Sequence, residues 1–183
     1  MKTSTLTILF LVFVGLATWW FIRRKSPVAS PADLDAYMGD QAMLAVRFAR
    51  EAHSIELDFS TESIQAVEEI LGKIHEEHST RLLTDVQLEE HVIRWASYIG
   101  EVAKRMRPGR WQRDSTLGKD TFPLEFDSKN AILPIAWVHK RITNGEEHNV
   151  WSKFRVSLMR DSLKELSTDD LERIAEQEDS KKQ

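Results

Sequence analysis

Between Thr5 and Ile22 the chain runs eighteen residues, TLTILFLVFVGLATWWFI, without a charged side chain. As an α-helix this run is about 27 Å long, close to the roughly 30 Å of a bilayer's hydrocarbon core. Trp19 and Trp20 stand near its end, and Arg23, Arg24 and Lys25 follow at once. Indole rings at the headgroup level and a cationic stop are what a membrane-spanning helix presents at its boundary. A cleaved signal peptide is the competing reading, but its apolar stretch is usually about 7–15 residues. The one small-residue candidate for cleavage, Val28-Ala29-Ser30, is followed by Pro31. A soluble core helix would rarely be apolar on every face for five turns. The expectation is a single-pass anchor over 1–25, with residues 5–22 in the membrane. Lys2 and the α-amine oppose Arg23, Arg24 and Lys25, so a margin of one charge favours a cytoplasmic soluble part, at the inner membrane if the chain is bacterial.

The rest is long enough for one domain with its own core. Residues 26–32, SPVASPA, form a linker that does not continue the anchor's pattern. We expect a domain over 33–166 and an acidic helix or tail over 167–183. The net charge is −4, and with four basic and no acidic residues in 1–32 the remainder holds 21 basic against 29 acidic groups, or −8. That balance argues against a nucleic-acid partner. The chain has no cysteine, which removes disulfides, thiol nucleophiles and thiolate metal sites.

Hydrophobic spacing then divides the domain. Leu34, Met38, Ala42, Ala45, Phe48 and Ala52 make a helical stripe over about 31–53, with Ser30-Pro31 as its start. Ile55, Leu57 and Phe59 alternate with acids, as an extended segment does. Ser60 opens a second helix with Ile64, Val67, Leu71 and Ile74 inward, ending near His78. Thr84-Asp85-Val86-Gln87 is a capping-box pattern, and Leu88, Val92, Trp95, Ile99, Val102 and Met106 follow at steps of three and four until Pro108-Gly109. Period two takes over in Arg110–Arg113 and Phe122–Phe126, two strands flanking the turn-prone residues 114–120. Pro134 to Asn144-Gly145 reads as a short helix, about 147–163 as another, and Ser167 caps a last acidic one. The fold class is α+β: an N-terminal transmembrane helix, then a small, mostly helical domain with a short antiparallel sheet.

Tyr98-Ile99-Gly100-Glu101-Val102, then Trp111, Pro134, Lys140-Arg141 and Asn144-Gly145, resemble a small bacterial domain of unknown function. There a Y-x-G-E-x helix precedes a Trp-bearing strand and a P…KR…NG element. The resemblance spans roughly 56–160 and implies one α+β domain without an assigned activity. Read from the residues alone, Gly100 lets another element come close and Glu101 pairs with Lys104 or Arg105.

Two constellations carry chemistry. His75-Glu76-Glu77-His78, with His91 downstream, approaches a metal-binding helix, but H-E-x-x-H requires a histidine where Ser79 stands. A histidine at a helix end is also a common structural choice. Lys104, Arg105, Arg107, Arg110 and Arg113, with Trp111 among them, place five cations in ten residues with no acid. Such a run suits an anionic lipid, a phosphate or an acidic protein partner; its plainer role is to complement a helix C-terminus. The chain lacks G-x-S-x-G, a Walker loop and G-x-G-x-x-G, and no motif calls for a cofactor. Glu101, His139 and Glu125 remain as carboxylates and an imidazole that folding could gather. The expectation is a membrane-anchored accessory or interaction protein without catalysis. The alternatives are a lipid- or ligand-sensing module using the basic run, or a metal-dependent enzyme using His75, His78 and His91.

Overall fold

The computed structural model of the chain describes residues 31–113, 121–126 and 130–159. The expected anchor, most of the linker, the 114–120 turn and the acidic segment 167–183 lie outside the described residues. Among those described, no helix is long and apolar enough to cross a membrane. The domain is mostly helical, with one small antiparallel sheet, so the α+β reading of the domain holds.

Helix α1 spans Pro31–His53, α2 Ser63–Ser79 and α3 Asp85–Met106. Helix α3 forms as its spacing dictates. Thr84 Oγ1 accepts from Gln87 N while the Gln87 side chain accepts from Thr84 N at 2.9 Å. This capping box satisfies two amide groups that have no partner inside the helix. Val92, Trp95, Ile99 and Val102 are buried along one face. The stripe on α1, Leu34, Met38, Ala42, Ala45 and Ala49, packs on it. The two run antiparallel: Lys104 reaches Asp35 at 3.0 Å, Ser97 Oγ lies 3.1 Å from Met38 Sδ, and the Phe48 ring meets those of His91 and Trp95. Small alanines on α1 let the backbones approach while Trp95 fills the centre.

The segment between α1 and α2 is not a strand of the described sheet; Ser54 and Phe59 take left-handed conformations, with φ of 57° and 62°, and Leu57 is its buried residue. Phe59 N–H donates to Tyr98 Oη, which also lies 2.6 Å from Ser63 Oγ. Ser60 Oγ accepts from Ser63 N at 3.2 Å, but the helix itself begins at Ser63 with Glu62 at its N-cap position and no side-chain cap, so the expected serine cap holds only the turn before the helix. A tight turn, with Ile64 N bonded to Thr61 O, leads into the regular part at Ser63. At the far end of α2, Arg81 takes a left-handed conformation, φ 58°, so that Leu82 N–H can bond to Glu77 O.

Strands β1 (Gly109–Trp111), β2 (Leu124–Phe126) and β3 (Ala131–Ile132) pair antiparallel in that order. Trp111 stands opposite Leu124, and Leu124 opposite Ile132, all buried; Arg110 and Glu125 face each other on the exposed side. Two strands were expected; the third is only two residues long, too short to show a period.

Helix α4 (Pro134–Asn144) starts with proline at its first turn and stops at Gly145, whose φ of 95° suits glycine. The helix expected over 147–163 is broken within its described part. A 3-10 turn (Glu146–His148) leads to Asn149, whose side chain accepts from Ser152 N at 2.8 Å and starts α5 (Val150–Phe154). A π-turn follows over Arg155–Met159. Glu68 explains the restart: its Oε2 accepts from Val150 N at 2.7 Å while Oε1 pairs with Arg141 of α4. One largely covered carboxylate, 12% exposed, therefore ties α2, α4 and α5 together.

Candidate functional site

The antiparallel pairing of α1 and α3 determines which residues share an end of the domain. Asp35, in the second turn of α1, accepts from Lys104 near the end of α3 and lies 3.5 Å from Trp111 N in β1. Pro31 is only four residues, about 6 Å of helix, beyond Asp35. The run 104–113 therefore sits at the end where the chain enters the domain.

Each cation there has a distinct setting. Lys104 is held between Asp35 and Glu101, both at 3.0 Å. Burial alone would lower its ammonium pKa, but the hydrogen bonds and charges of the two carboxylates outweigh it and raise the pKa above its ordinary value. Its charge is consumed locally. Arg105 is exposed; it donates to the Glu101 carbonyl at 2.9 Å, completing the helix end, and lies 3.9 Å over the Phe59 ring. Arg107 lies 5.0 Å over the Phe126 ring and reaches the Leu158 carbonyl at 3.4 Å. Arg110 projects outward from β1, facing Glu125, and Arg113 is exposed just past the strand. Met106 adds an exposed apolar side chain among them, 37% accessible.

Trp111 departs from the expected contact surface. Its side chain is fully buried against α3, where Gly100 leaves the space its ring occupies; a methyl group on Gly100 would overlap the ring. The alternation of β1 turns Arg110 outward and therefore Trp111 inward. The indole anchors the strand that carries Arg110; Arg105 and Met106 are exposed near the end of α3, Arg107 lies over the Phe126 ring, and Arg113 is exposed past the strand.

The histidines are not gathered. His75 Nδ1 is 2.7 Å from the Ile142 carbonyl, joining α2 to α4, and His91 lies on α3 against Phe48. His78 is half-buried near the end of α2. Among the described residues no group of three histidines or carboxylates could hold a metal ion. The partner His91 actually has was not legible in sequence: His53, at the end of α1, packs on the same Phe48 ring, and Arg94 lies 4.9 Å over that ring. Burial lowers the pKa of both imidazoles, assisted by the Arg94 charge at His91 and by Lys73 at His53.

Glu101, His139 and Glu125 are likewise spread out. Glu101 is committed to Lys104, Glu125 faces Arg110, and His139 lines a half-open recess with Thr121, Leu133, Ile135, Ala136 and Lys140. That recess holds about 220 Å³, below the roughly 300–1,000 Å³ of small-molecule clefts. Among the described residues no hydrogen bond or ion pair joins the three.

Compared with protein-family models, curated proteins and solved structures, the chain has no match in any of the three. The words shared with the domain of unknown function are accounted for by packing: Tyr98 bridges Ser63 and Phe59, Gly100 admits Trp111, and Glu101 holds Lys104.

Proposed function

We propose that this chain is a membrane-anchored, non-catalytic interaction protein whose basic end rests on an anionic membrane surface. The observation that supports the reading is the shared end of α1 and β1: Asp35, four residues after Pro31, accepts from Lys104 and lies 3.5 Å from Trp111 N, and Arg105, Met106 and Arg110 of the same run are exposed. In sequence, residues 26–30 alone separate Pro31 from the cationic stop at Arg23-Arg24-Lys25. Five residues span at most about 21 Å between their neighbours. If residues 5–22 cross the bilayer, the basic end is the part of the domain held against the headgroups. Guanidinium groups suit that position because they bind phosphate oxygens with two parallel hydrogen bonds. The exposed Met106 provides a small apolar contact with the interface. With its positive flank inside, the domain lies on the cytoplasmic face, where anionic lipids supply the negative potential.

The experiment is co-sedimentation of residues 26–183 with phosphatidylcholine vesicles that contain or lack phosphatidylserine. Each basic group near an anionic surface contributes about 1 kcal/mol, so Arg105→Gln with Arg110→Gln weakens binding by about 2 kcal/mol, roughly 30-fold. Both side chains are exposed, and the melting temperature stays within a few degrees. Equal binding by parent and variant, or no preference for the anionic vesicles, contradicts the reading.

A further inference from the structure

At the end of the α1–α3 pair opposite the basic run, four side chains gathered on one phenyl ring each bury a nitrogen that has no hydrogen-bond partner. The nitrogens are His53 Nε2, His91 Nδ1, Arg94 Nε and Trp95 Nε1. The ring is Phe48 of α1. His53, His91 and Trp95 meet it edge to face, with centroids 5.6, 5.5 and 6.1 Å away, and the Arg94 guanidinium lies 4.9 Å over it. A neutral imidazole can leave its bare nitrogen at such a site, whereas an imidazolium carries N–H on both nitrogens. Taking up a proton here therefore buries a charged donor without an acceptor, beside a cation.

The charged groups around the two imidazoles do not reverse this balance. At His91 burial has the largest effect, Arg94 of α3 adds to it, Glu90 of α3 opposes it more weakly, and His53 is a further repulsion. At His53 burial again leads, followed by Lys73 of α2, with Glu77 of α2 weaker and opposite. Glu56, on the segment after α1, is held by Arg50 at 2.7 Å. The backbone at this point is that of a helix end. Ser54 N and Ile55 N bond back to Arg50 O and Ala49 O, both at 3.1 Å, through a left-handed Ser54 with φ 57°. A serine in that conformation is strained, so the contacts around Phe48 hold the end in place against its backbone preference. Further back, α1 is held by the buried Ala42 and Ala45, which no proton disturbs.

We propose that Phe48, His53, His91 and Arg94 form a proton-operated latch: the last two turns of α1 close on α3 while both imidazoles are neutral and come away when they are protonated, uncovering Phe48 and Ala49. The open form binds more protons than the closed form, so closure is complete above the ordinary imidazole pKa of about 6.5 and is lost as pH falls below it. Between pH 7.5 and pH 5.5 the ratio of open to closed rises by up to about tenfold for one imidazole and up to about 100-fold for both. The domain thus presents in mild acid an apolar face that it covers at neutral pH. The latch is independent of the membrane reading above.

The test is amide hydrogen exchange of the whole chain in nanodiscs, read by mass spectrometry at pH 7.5 and pH 5.5 and corrected for the intrinsic exchange rate at each pH. Protection of residues 47–55 is expected to fall at least about tenfold, while residues 99–103 of α3 change by less than about twofold. In His53→Gln with His91→Gln, which cannot take up the protons, the fall disappears; a melting temperature at pH 7.5 within a few degrees of the parent shows that the variant is folded. In the parent, the imidazole NMR shifts of His53 and His91 should titrate below about pH 6.5, over the range in which protection is lost. Protection of 47–55 that is flat with pH, that falls as much in the double variant, or that falls no more than at 99–103 overturns the latch. If the double variant does not fold, the titration decides: imidazoles that titrate at or above about pH 6.5 overturn it as well.

Discussion

Gly100→Ala isolates the contact on which the basic end is built. In an exposed helix interior this change would stabilise by about 1 kcal/mol, because alanine is the better helix former. Here the new methyl group would fall inside the Trp111 ring. The ring has no exposed side to swing toward, since Trp111 is fully buried and its backbone is paired opposite Leu124. Forcing extra volume into a packed core costs about 1–3 kcal/mol, and a rigid indole with no escape puts this site at the upper end or above it. The net expectation is a loss of about 2 kcal/mol, or roughly 6–8 °C in melting temperature for a domain of this size. Urea denaturation followed by circular dichroism measures it. The cycle is completed in a Trp111→Leu background: with the ring gone, Gly100→Ala should become stabilising by up to about 1 kcal/mol. The sign of the same substitution therefore reverses between backgrounds. A stabilising or neutral Gly100→Ala in the parent would refute the packing of β1 on α3, and with it the outward placement of Arg110.

Three further outcomes follow. Glu68→Ala should cost about 3–5 kcal/mol in urea denaturation, because it leaves Arg141 buried and uncompensated and removes the partner of Val150 N, whereas Glu56→Ala at the exposed Arg50 pair should leave the urea midpoint nearly unchanged. His53 and His91 have pKa values depressed by burial, so the native state takes up fewer protons than the unfolded chain; stability should be constant above about pH 7 and fall as pH drops through about 6.5, and a urea midpoint that is flat between about pH 7.5 and pH 5.5 would contradict this. Deleting residues 1–25 should move the protein into the soluble fraction with an unchanged far-ultraviolet spectrum, while loss of helicity would mean that the apolar segment belongs to the domain core.

The parts of the fold that were legible in the sequence are those where one element carries its own pattern. Helix α3 shows its capping box and its apolar row, and Trp95 is buried at the centre of that row as the spacing implies. Gly100 and Glu101 could be read as a close approach and a lysine partner because both roles are local to one helix. Trp111 was harder: a three-residue strand has too few positions to reveal which face is inward, and the five cations around it suggest a surface. Its burial is decided by Gly100, eleven positions earlier on a different element. Glu68 was invisible for a similar reason, since its partners Arg141 and Val150 are more than seventy residues away. The break at Asn149 follows from that carboxylate and not from helix propensity. The apolar spacing of α1 and α3 was plain, but their antiparallel pairing, which brings the basic run beside Pro31, is a tertiary fact.

That pairing also provides the most direct measurement of the central claim, that the basic end faces the bilayer. Met106 and Leu82 are both exposed, at 37% and 71%, and lie at or beyond opposite ends of α3, whose 22 residues span about 32 Å. With the whole chain in phosphatidylserine-containing nanodiscs, a nitroxide at Met106→Cys or Leu82→Cys can be tested for broadening by a nickel chelate carried on the lipid headgroups. The account predicts strong broadening at position 106 and none at position 82. Equal broadening at both positions, or broadening at 82 alone, would contradict it.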